Sequence, residues 1–516
     1  MRPHRYPAFA RLCENEGMFL HCIVIKTNGQ MHYLTGLDRE QAQIFTKLED
    51  LVSARHYVRL IDLIAEKFFT ENASIFCEKG EQNIGRKAYS PAYLLKLYIY
   101  GYLNGISSSR KLERECARNL ELMWLMNQLV PDHKTIADFR KDNSEAIKQS
   151  VLTFGKWLQQ SSYIKGDCVS IDGSKIRANA SRSFDLDHVS KKLEQLEAQL
   201  QDYIAKISRT DQADEECEQA EKEKEQLRQY IKELQQQINE LELKKALLNK
   251  EQAKRISPTD PQARIMKSRQ GKHFCYNVQV VVDEKHKLIL CNQVYNHEND
   301  KGLLKPMVEQ AEKVLNQNPK EVLADAGYHQ MNQLEELENR GIECYVAINE
   351  NQEHVKEEEH GIAFEFDEAE NIYRCSQGQK LVPQFGLKRD NRRGTVAQAY
   401  KGINCQPCSI KKICTKSGTA RSVYRFTNQQ WRDRYKSKLK SEMGISKLKL
   451  RKCLSEHPFG TMKCWMGHIP LLLRGKVKVQ TEINIYAIAY NFKRMLNVAS
   501  FEDLEKMFRP DNLKAA

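Results

Sequence analysis

The stretch CVSIDGSKI, residues 168–176, is where the chain changes period. Valine and isoleucine alternate around Asp172, and Gly173-Ser174 follow, so the segment reads as a strand carrying one acid. Upstream, from Asp38 to about Phe154, the apolar spacing is helical. Ser90-Pro91 opens AYLLKLYIYGYL as an N-cap followed by proline at the first helical position. Asn104-Gly105 is a turn, SSSRKLERECARN (107–119) restarts a helix, and HKTIADFRKDN (133–143) supplies another. Downstream, CYNVQVVVD (275–283) and KLILCNQVYN (287–296) read as strands joined by a short turn. They are followed by the helix LLKPMVEQAEKVLNQ, the strand EVLADAGY, the helix MNQLEELENRG ending at Gly341, and the strand CYVAIN. Three strands followed by alternating helices and strands imply a mixed sheet with helices packed on it.

Two segments interrupt this order. Residues 187–252 are highly charged and free of Gly and Pro. Leu193, Leu196, Leu200, Tyr203 and Ile207 step by three and four, as do Leu227, Ile231, Leu234, Ile238 and Leu241. That is a heptad seam, broken by SRTDQADEE, so an antiparallel coiled-coil arm is expected, with a single solvated helix as the plainer alternative. Residues 351–425 are a polar insertion holding Cys375, Cys405, Cys408 and Cys414. A C-x2-C pair with one cysteine downstream and one upstream suits tetrahedral thiolate coordination, so a closed structural Zn²⁺ site is the leading reading. Four reduced, metal-free cysteines are the alternative.

The 516 residues are 41% hydrophobic and 29% charged, which suits two to four globular domains and excludes collagen-like or wholly disordered chains. No run approaches the roughly 20 apolar residues of a membrane helix, and residues 92–103 carry Lys96. No secretory signal is evident in residues 1–35, which are poorly patterned, so the cytosol is the expected compartment. The net charge of +13 favours a polyanionic partner. Residues 431–451 hold eight Lys/Arg against two acids, with Trp431 and Tyr435 among them, and read as a phosphate-contacting segment or a solvated helix face. No Walker A sequence is present, so ATP is not implied.

Three acids stand out by position: Asp172 in the first strand, Asp325 ending LAD, and Glu456 in RKCLSEHPFGTMK. Carboxylates converging from separate elements form a hard-oxygen site suited to Mg²⁺ or Mn²⁺. Two such ions support phosphodiester chemistry.

Several blocks resemble the DDE transposases of bacterial insertion sequences. GRKAYSPAYLLKLYIYGYLNGISSSRKLEREC, NLELMWL and PDHKTIADFRK resemble that family's N-terminal domain. SIDGSKIRANAS resembles its first-aspartate strand, and TDPQARIMKSRQG before YNVQVVVD resembles the approach to its second strand. LADAGY resembles the second-aspartate motif, SEHPFGTMKCWMG the glutamate motif, and AYNFKRML the terminal helix. The blocks run in family order from about residue 36 to 497. The resemblance implies a ribonuclease-H-like catalytic domain built from residues 161–186, 253–350 and 426–500. It also implies a helical DNA-binding domain over 36–160, with 501–516 as a tail. Asp172, Asp325 and Glu456 become the catalytic, Mg²⁺- or Mn²⁺-binding triad, which cleaves at inverted repeats and joins 3′-hydroxyl ends to target DNA. A homodimer is expected because two ends are paired.

Relatives carry Tyr-x2-Arg-x3-Glu-x6-Lys around the glutamate. Here Glu456 and Lys463 keep the last part, while Lys452, with Arg451 beside it, and Lys449 replace the Arg and Tyr. Pro458 and Gly460 are expected to bend or break the helix between Glu456 and Lys463. DNA contacts are expected from Arg110, Arg114, His133, Lys134 and Arg140 in the helical domain, and from Arg451, Lys452 and Lys463. A ribonuclease-H-like nuclease without strand transfer, and a non-catalytic DNA-binding relic, are the rival functions.

Overall fold

The computed structural model describes residues 47–76, 88–180, 183–212, 218–268, 271–348, 361–390, 395–467 and 469–509. Residues 1–35 lie outside them. The chain divides into two compact units, Met1–Leu51 and Val52–Ala516. The described part of the first is residues 47–51, with a 3-10 turn at Leu48–Leu51.

The second unit begins with six helices: α1 (Tyr57–Asn72), α2 (Pro91–Leu103), α3 (Ser109–Cys116), α4 (Leu120–Leu125), α5 (His133–Asp142) and α6 (Ser144–Gln160). Their starts follow local chemistry. The Ser90 hydroxyl accepts from the Ala92 N–H at 3.3 Å ahead of Pro91. The Asp132 carboxylate accepts from the Lys134 and Thr135 N–H groups at 3.0 Å each. Helix α2 is buried almost all round, and its Lys96 is neutralised by Asp62 at 2.7 Å and Glu66 at 2.5 Å, both on α1.

Strand β1 (Cys168–Arg177) follows, then a two-stranded ladder, β2 (Phe184–Asp185) with β3 (Arg255–Ile256). Helices α7 (Leu186–Gln212) and α8 (Glu218–Lys250) rise from that ladder as an antiparallel pair. Tyr203 stacks on Tyr230 with ring centroids 6.1 Å apart, while Val189 packs with Leu248 and Ile256 near the base. The expected seam residues Leu193, Leu196 and Ile238 are the buried ones.

The main sheet adds β4 (Arg264–Ser268), β5 (Gly271–Asp283), β6 (Ile289–Tyr295), β7 (Glu321–Ala324) and β8 (Glu343–Val346). Between these strands lie α9 (Leu304–Leu315) and α10 (Met331–Asn339). The sheet is mixed. Strand β1 is central, antiparallel to β5 with Asp172 opposite Val280, and parallel to β7 with Ile171 opposite Ala324. Strand β8 continues parallel beyond β7. Both β4 and β6 pair antiparallel with β5 on its other edge. Strand β4 has no counterpart among the expected elements.

A separate five-stranded antiparallel sheet holds β9 (Phe364–Asp367), β10 (Ile372–Cys375), β11 (Lys380–Asp390) and β12 (Thr395–Gly402). After the short helix α11 (Lys411–Cys414) it is completed by β13 (Ser422–Phe426). The chain closes with α12 (Gln429–Lys440), α13 (Glu442–Cys464), α14 (Lys476–Met495) and α15 (Phe501–Phe508).

Helix α14 is buried on nearly every side, between α2, α5 and α6 and the edge strand β6. It satisfies that edge with side-chain amides. Asn491 accepts from the Ile289 N–H and donates to its carbonyl, both at 2.8 Å, and Gln480 accepts from the Val294 N–H at 2.6 Å. The helical region and the main sheet therefore share one continuous core. No helix among the described residues is long and apolar enough to cross a membrane.

Candidate active site

Asp172 and Asp325 reach the same spot because their strands are parallel neighbours. Ile171 pairs with Ala324, so each aspartate is the next residue on its strand. Asp325 leaves the end of β7 and heads a 3-10 turn, its carboxylate accepting from the Gly327 N–H at 2.8 Å. Strand ends in such sheets are where ligands gather. Burial raises Asp172 to about 6; the negative charges of Asp325 and Asp300 add to this, while Arg451 and the Gly173 N–H oppose it.

Asp300, in the loop after β6, was not anticipated. Its Oδ1 accepts from the Lys175 ammonium at 2.8 Å, Asn277 at 2.7 Å and Gln279 at 2.9 Å. Gln279 also donates to Asn277 and accepts from the Tyr328 hydroxyl. The glycines after the two aspartates make room. A Cβ on Gly173 meets Gln279 Nε2 at 2.2 Å, and one on Gly327 meets Asp325 Oδ1 at 2.9 Å and Asp300 Oδ2 at 3.4 Å.

Helix α13 lies across β1 and β7. Lys447 pairs with Glu321 at the start of β7, and the Arg451 charge is felt at Asp172. Further along, Lys463 donates to Ser174 Oγ at 2.6 Å. Glu456 falls between Arg451 and Lys463 on an exposed stripe shared with Lys449 and Lys452. The helix is unbroken through Pro458, contrary to expectation. Proline removes one backbone bond, and the burial of Pro458, Phe459 and Met462 against the sheet holds the helix together.

Of the expected DNA contacts, Arg110, Arg114, His133 and Lys134 are exposed on α3 and the start of α5, which pack together. His133 Nδ1 lies 2.9 Å from Glu113. Arg140 requires correction. It is 3% exposed, ion-paired at 3.1 Å with the fully buried Glu482 and bonded to the Tyr102 hydroxyl at 2.8 Å, so it has no face to offer a phosphate. Tyr435 is likewise a core residue. Its hydroxyl donates to the Val346 carbonyl at 3.1 Å and accepts from the Val346 N–H at 2.9 Å.

Cys375, Cys405, Cys408 and Cys414, none of them in a disulfide, line one small pocket between β10 and α11. Among the described residues, no group of three or more His, Cys, Asp or Glu is arranged to hold a metal ion as the chain stands.

Two family models match the chain: a transposase domain (DUF772) over residues 46–142 and a transposase DDE domain over residues 374–496. Both matched segments are transposase domains. The DDE match contains Glu456 and all four cysteines of the pocket, and the DUF772 match contains the exposed residues of α3 and α5. No curated protein matches the chain. A piggyBac transposase synaptic complex with hairpin DNA, solved by cryo-EM, aligns over 87% of this chain and 77% of its own chain. The identity is 10% and the TM-score 0.32.

Proposed function

We propose that the protein binds the terminal inverted repeats of its own element, cleaves there and joins the 3′-hydroxyl ends to target DNA. The observation that carries this is the meeting of Asp172, midway along β1, with Asp325 at the end of the neighbouring β7, beneath the helix that bears Glu456. The mixed sheet, three core strands antiparallel and two parallel, supports the ribonuclease-H-like reading of the core.

Asp172 and Asp325 offer the hard oxygen donors that a divalent cation takes. Asp172 is a desolvated carboxylate pressed by two like charges, the condition a cation relieves. Asp172, Asp325 and Glu456 are the residues that would hold Mg²⁺ or Mn²⁺. When bound, such ions lower the barrier to attack by water or a 3′-hydroxyl and stabilise the leaving oxygen. Asp300, already neutralised by Lys175, serves as support, fixing Gln279 and through it Tyr328 behind the pair. Lys452 and Lys463, flanking Glu456, hold the phosphate backbone over the site, and Arg451 beside Asp172 assists. Arg110, Arg114, His133 and Lys134 contact the element ends. Cys375, Cys405, Cys408 and Cys414, which line one pocket, are the residues that would hold a structural Zn²⁺. Pairing of two ends is the role of a homodimer.

The test is to incubate the full chain with DNA carrying its own gene and both flanks, in Mg²⁺, Mn²⁺ or chelator, with Asp325→Asn as control. Paired breaks at matched inverted repeats, followed by joined products and lost in the variant, are expected. Breaks without joining point to a nuclease. Binding without breaks points to a relic.

A further inference from the structure

A groove between α13 and α14 has a chemistry the active site does not use. His457, Thr461 and Trp465 line one wall at helical spacing, on a different side of α13 from Glu456, Lys452 and Lys463. Lys493, Arg494 and Asn497 line the other. No carboxylate lies among the described residues of its lining.

The groove's polar groups are held in place from behind. The Tyr490 hydroxyl donates to the Lys287 carbonyl at 2.7 Å and lies 2.9 Å from His457 Nδ1. With its own proton committed to that carbonyl, the hydroxyl is the acceptor from His457, which turns Nε2 towards the groove. Arg494 Nε donates to the His286 carbonyl at 2.7 Å, which fixes the guanidinium at the wall. Lys493 is half-buried, and its ammonium makes no hydrogen bond or ion pair with a described residue. Its burial without a counter-ion pulls its pKa down. Above these groups the Trp465 ring is 75% exposed. An aromatic face beside two cations and two neutral donors is a combination that accepts an anion joined to a flat or apolar group.

The geometry points to a second DNA contact in this groove: a backbone phosphate seated on Lys493 and Arg494, donated to by Thr461 and Asn497, with the adjoining nucleotide packed on Trp465. The choice of DNA as occupant rests on the transposase reading, while the site itself rests on the groove. It lies on a different side of α13 from the residues proposed to flank the catalytic glutamate. One helix then separates two bound segments of DNA.

The experiment measures binding of the full chain to a fluorescent 20-base-pair duplex of arbitrary sequence at several salt concentrations, in chelator, so that cleavage plays no part. Lys493→Gln is expected to weaken binding several-fold and to reduce the slope of log K against log salt by about 0.9, one phosphate contact. Lys493→Arg restores both. Trp465→Ala is expected to weaken binding with the slope unchanged. Thermal melting of each variant separates a lost contact from a lost fold, and Lys493→Arg keeps the test open if the glutamine variant is unstable. Tight DNA binding that neither substitution alters in affinity or slope overturns the groove site and leaves the catalytic reading standing. Absence of DNA binding by the unaltered chain overturns both.

Discussion

At the residue scale, Asp172, proposed as catalytic, carries a measurable cost. Burial raises its pKa to about 6 from the ordinary 3.8 of an aspartate. Between those values the folded chain binds the extra proton, so stability falls as pH rises through this window and the full penalty is present above it. The size is about 3 kcal/mol at roughly 1.4 kcal/mol per pKa unit. Asp172→Asn should therefore raise the melting temperature at pH 8, leave it nearly unchanged at pH 4, and abolish DNA cleavage. A melting temperature that does not rise at pH 8 would show the carboxylate is not desolvated. Gly173→Ala should lower stability and activity together, because the new Cβ occupies the place of Gln279 Nε2. A circular-dichroism melt paired with a cleavage assay reads this, and an unchanged variant would contradict the close approach.

Asp172 and Asp325 were visible as candidates in the sequence because one lies in a β-branched strand before Gly173 and the other ends LAD before Ala326-Gly327. Asp300 was not. It lies in the loop NHEND, where an acid is ordinary turn chemistry, and only the fold brings Lys175, Asn277 and Gln279 to it.

At the scale of elements, the heptad-spaced segment falls on two long helices in contact, α7 and α8, with Leu193, Leu196 and Ile238 buried. Strand β4 was illegible because ARIMKS lacks clean alternation and owes its conformation to pairing with β5. The arm returns to its starting point. Asp185 pairs with Arg255 across the β2–β3 ladder, with a salt bridge at 3.0 Å, and the base has a small core of its own. Replacing residues 188–251 with a short Gly/Asn turn should leave the cooperative unfolding of the remaining body within a few degrees of the full chain. Loss of a cooperative transition in calorimetry would show that the arm is part of the main core.

At the scale of the whole molecule, the sequence suggested a helical DNA-binding domain set apart from a catalytic one, but the structure joins both through α14. Arg140 on α5 and Glu482 on α14 are the buried polar link, with Glu482 also accepting from the Leu472 and Leu473 N–H groups. Arginine in a short basic helix looks like a phosphate contact when its partner lies hundreds of residues away, which is why the sequence misled here. Arg140→Ala strands a buried carboxylate and should cost about 3–5 kcal/mol. Lys134→Ala, on the exposed side of the same helix, should leave the melting temperature alone and weaken DNA binding. The reverse pattern in melts and binding curves would undo the division between the two residues.

In the proposed function Asp172, Asp325 and Glu456 are catalytic and Asp300 supports them. Single-turnover cleavage of inverted-repeat DNA by Asp300→Asn and Glu456→Gln, side by side in Mn²⁺, tests that assignment most directly. The prediction is that Glu456→Gln leaves no measurable cleavage, while Asp300→Asn keeps activity within about tenfold of the unaltered chain, roughly 1.4 kcal/mol of barrier. Full cleavage by Glu456→Gln with none from Asp300→Asn would contradict it and make the loop aspartate the third carboxylate.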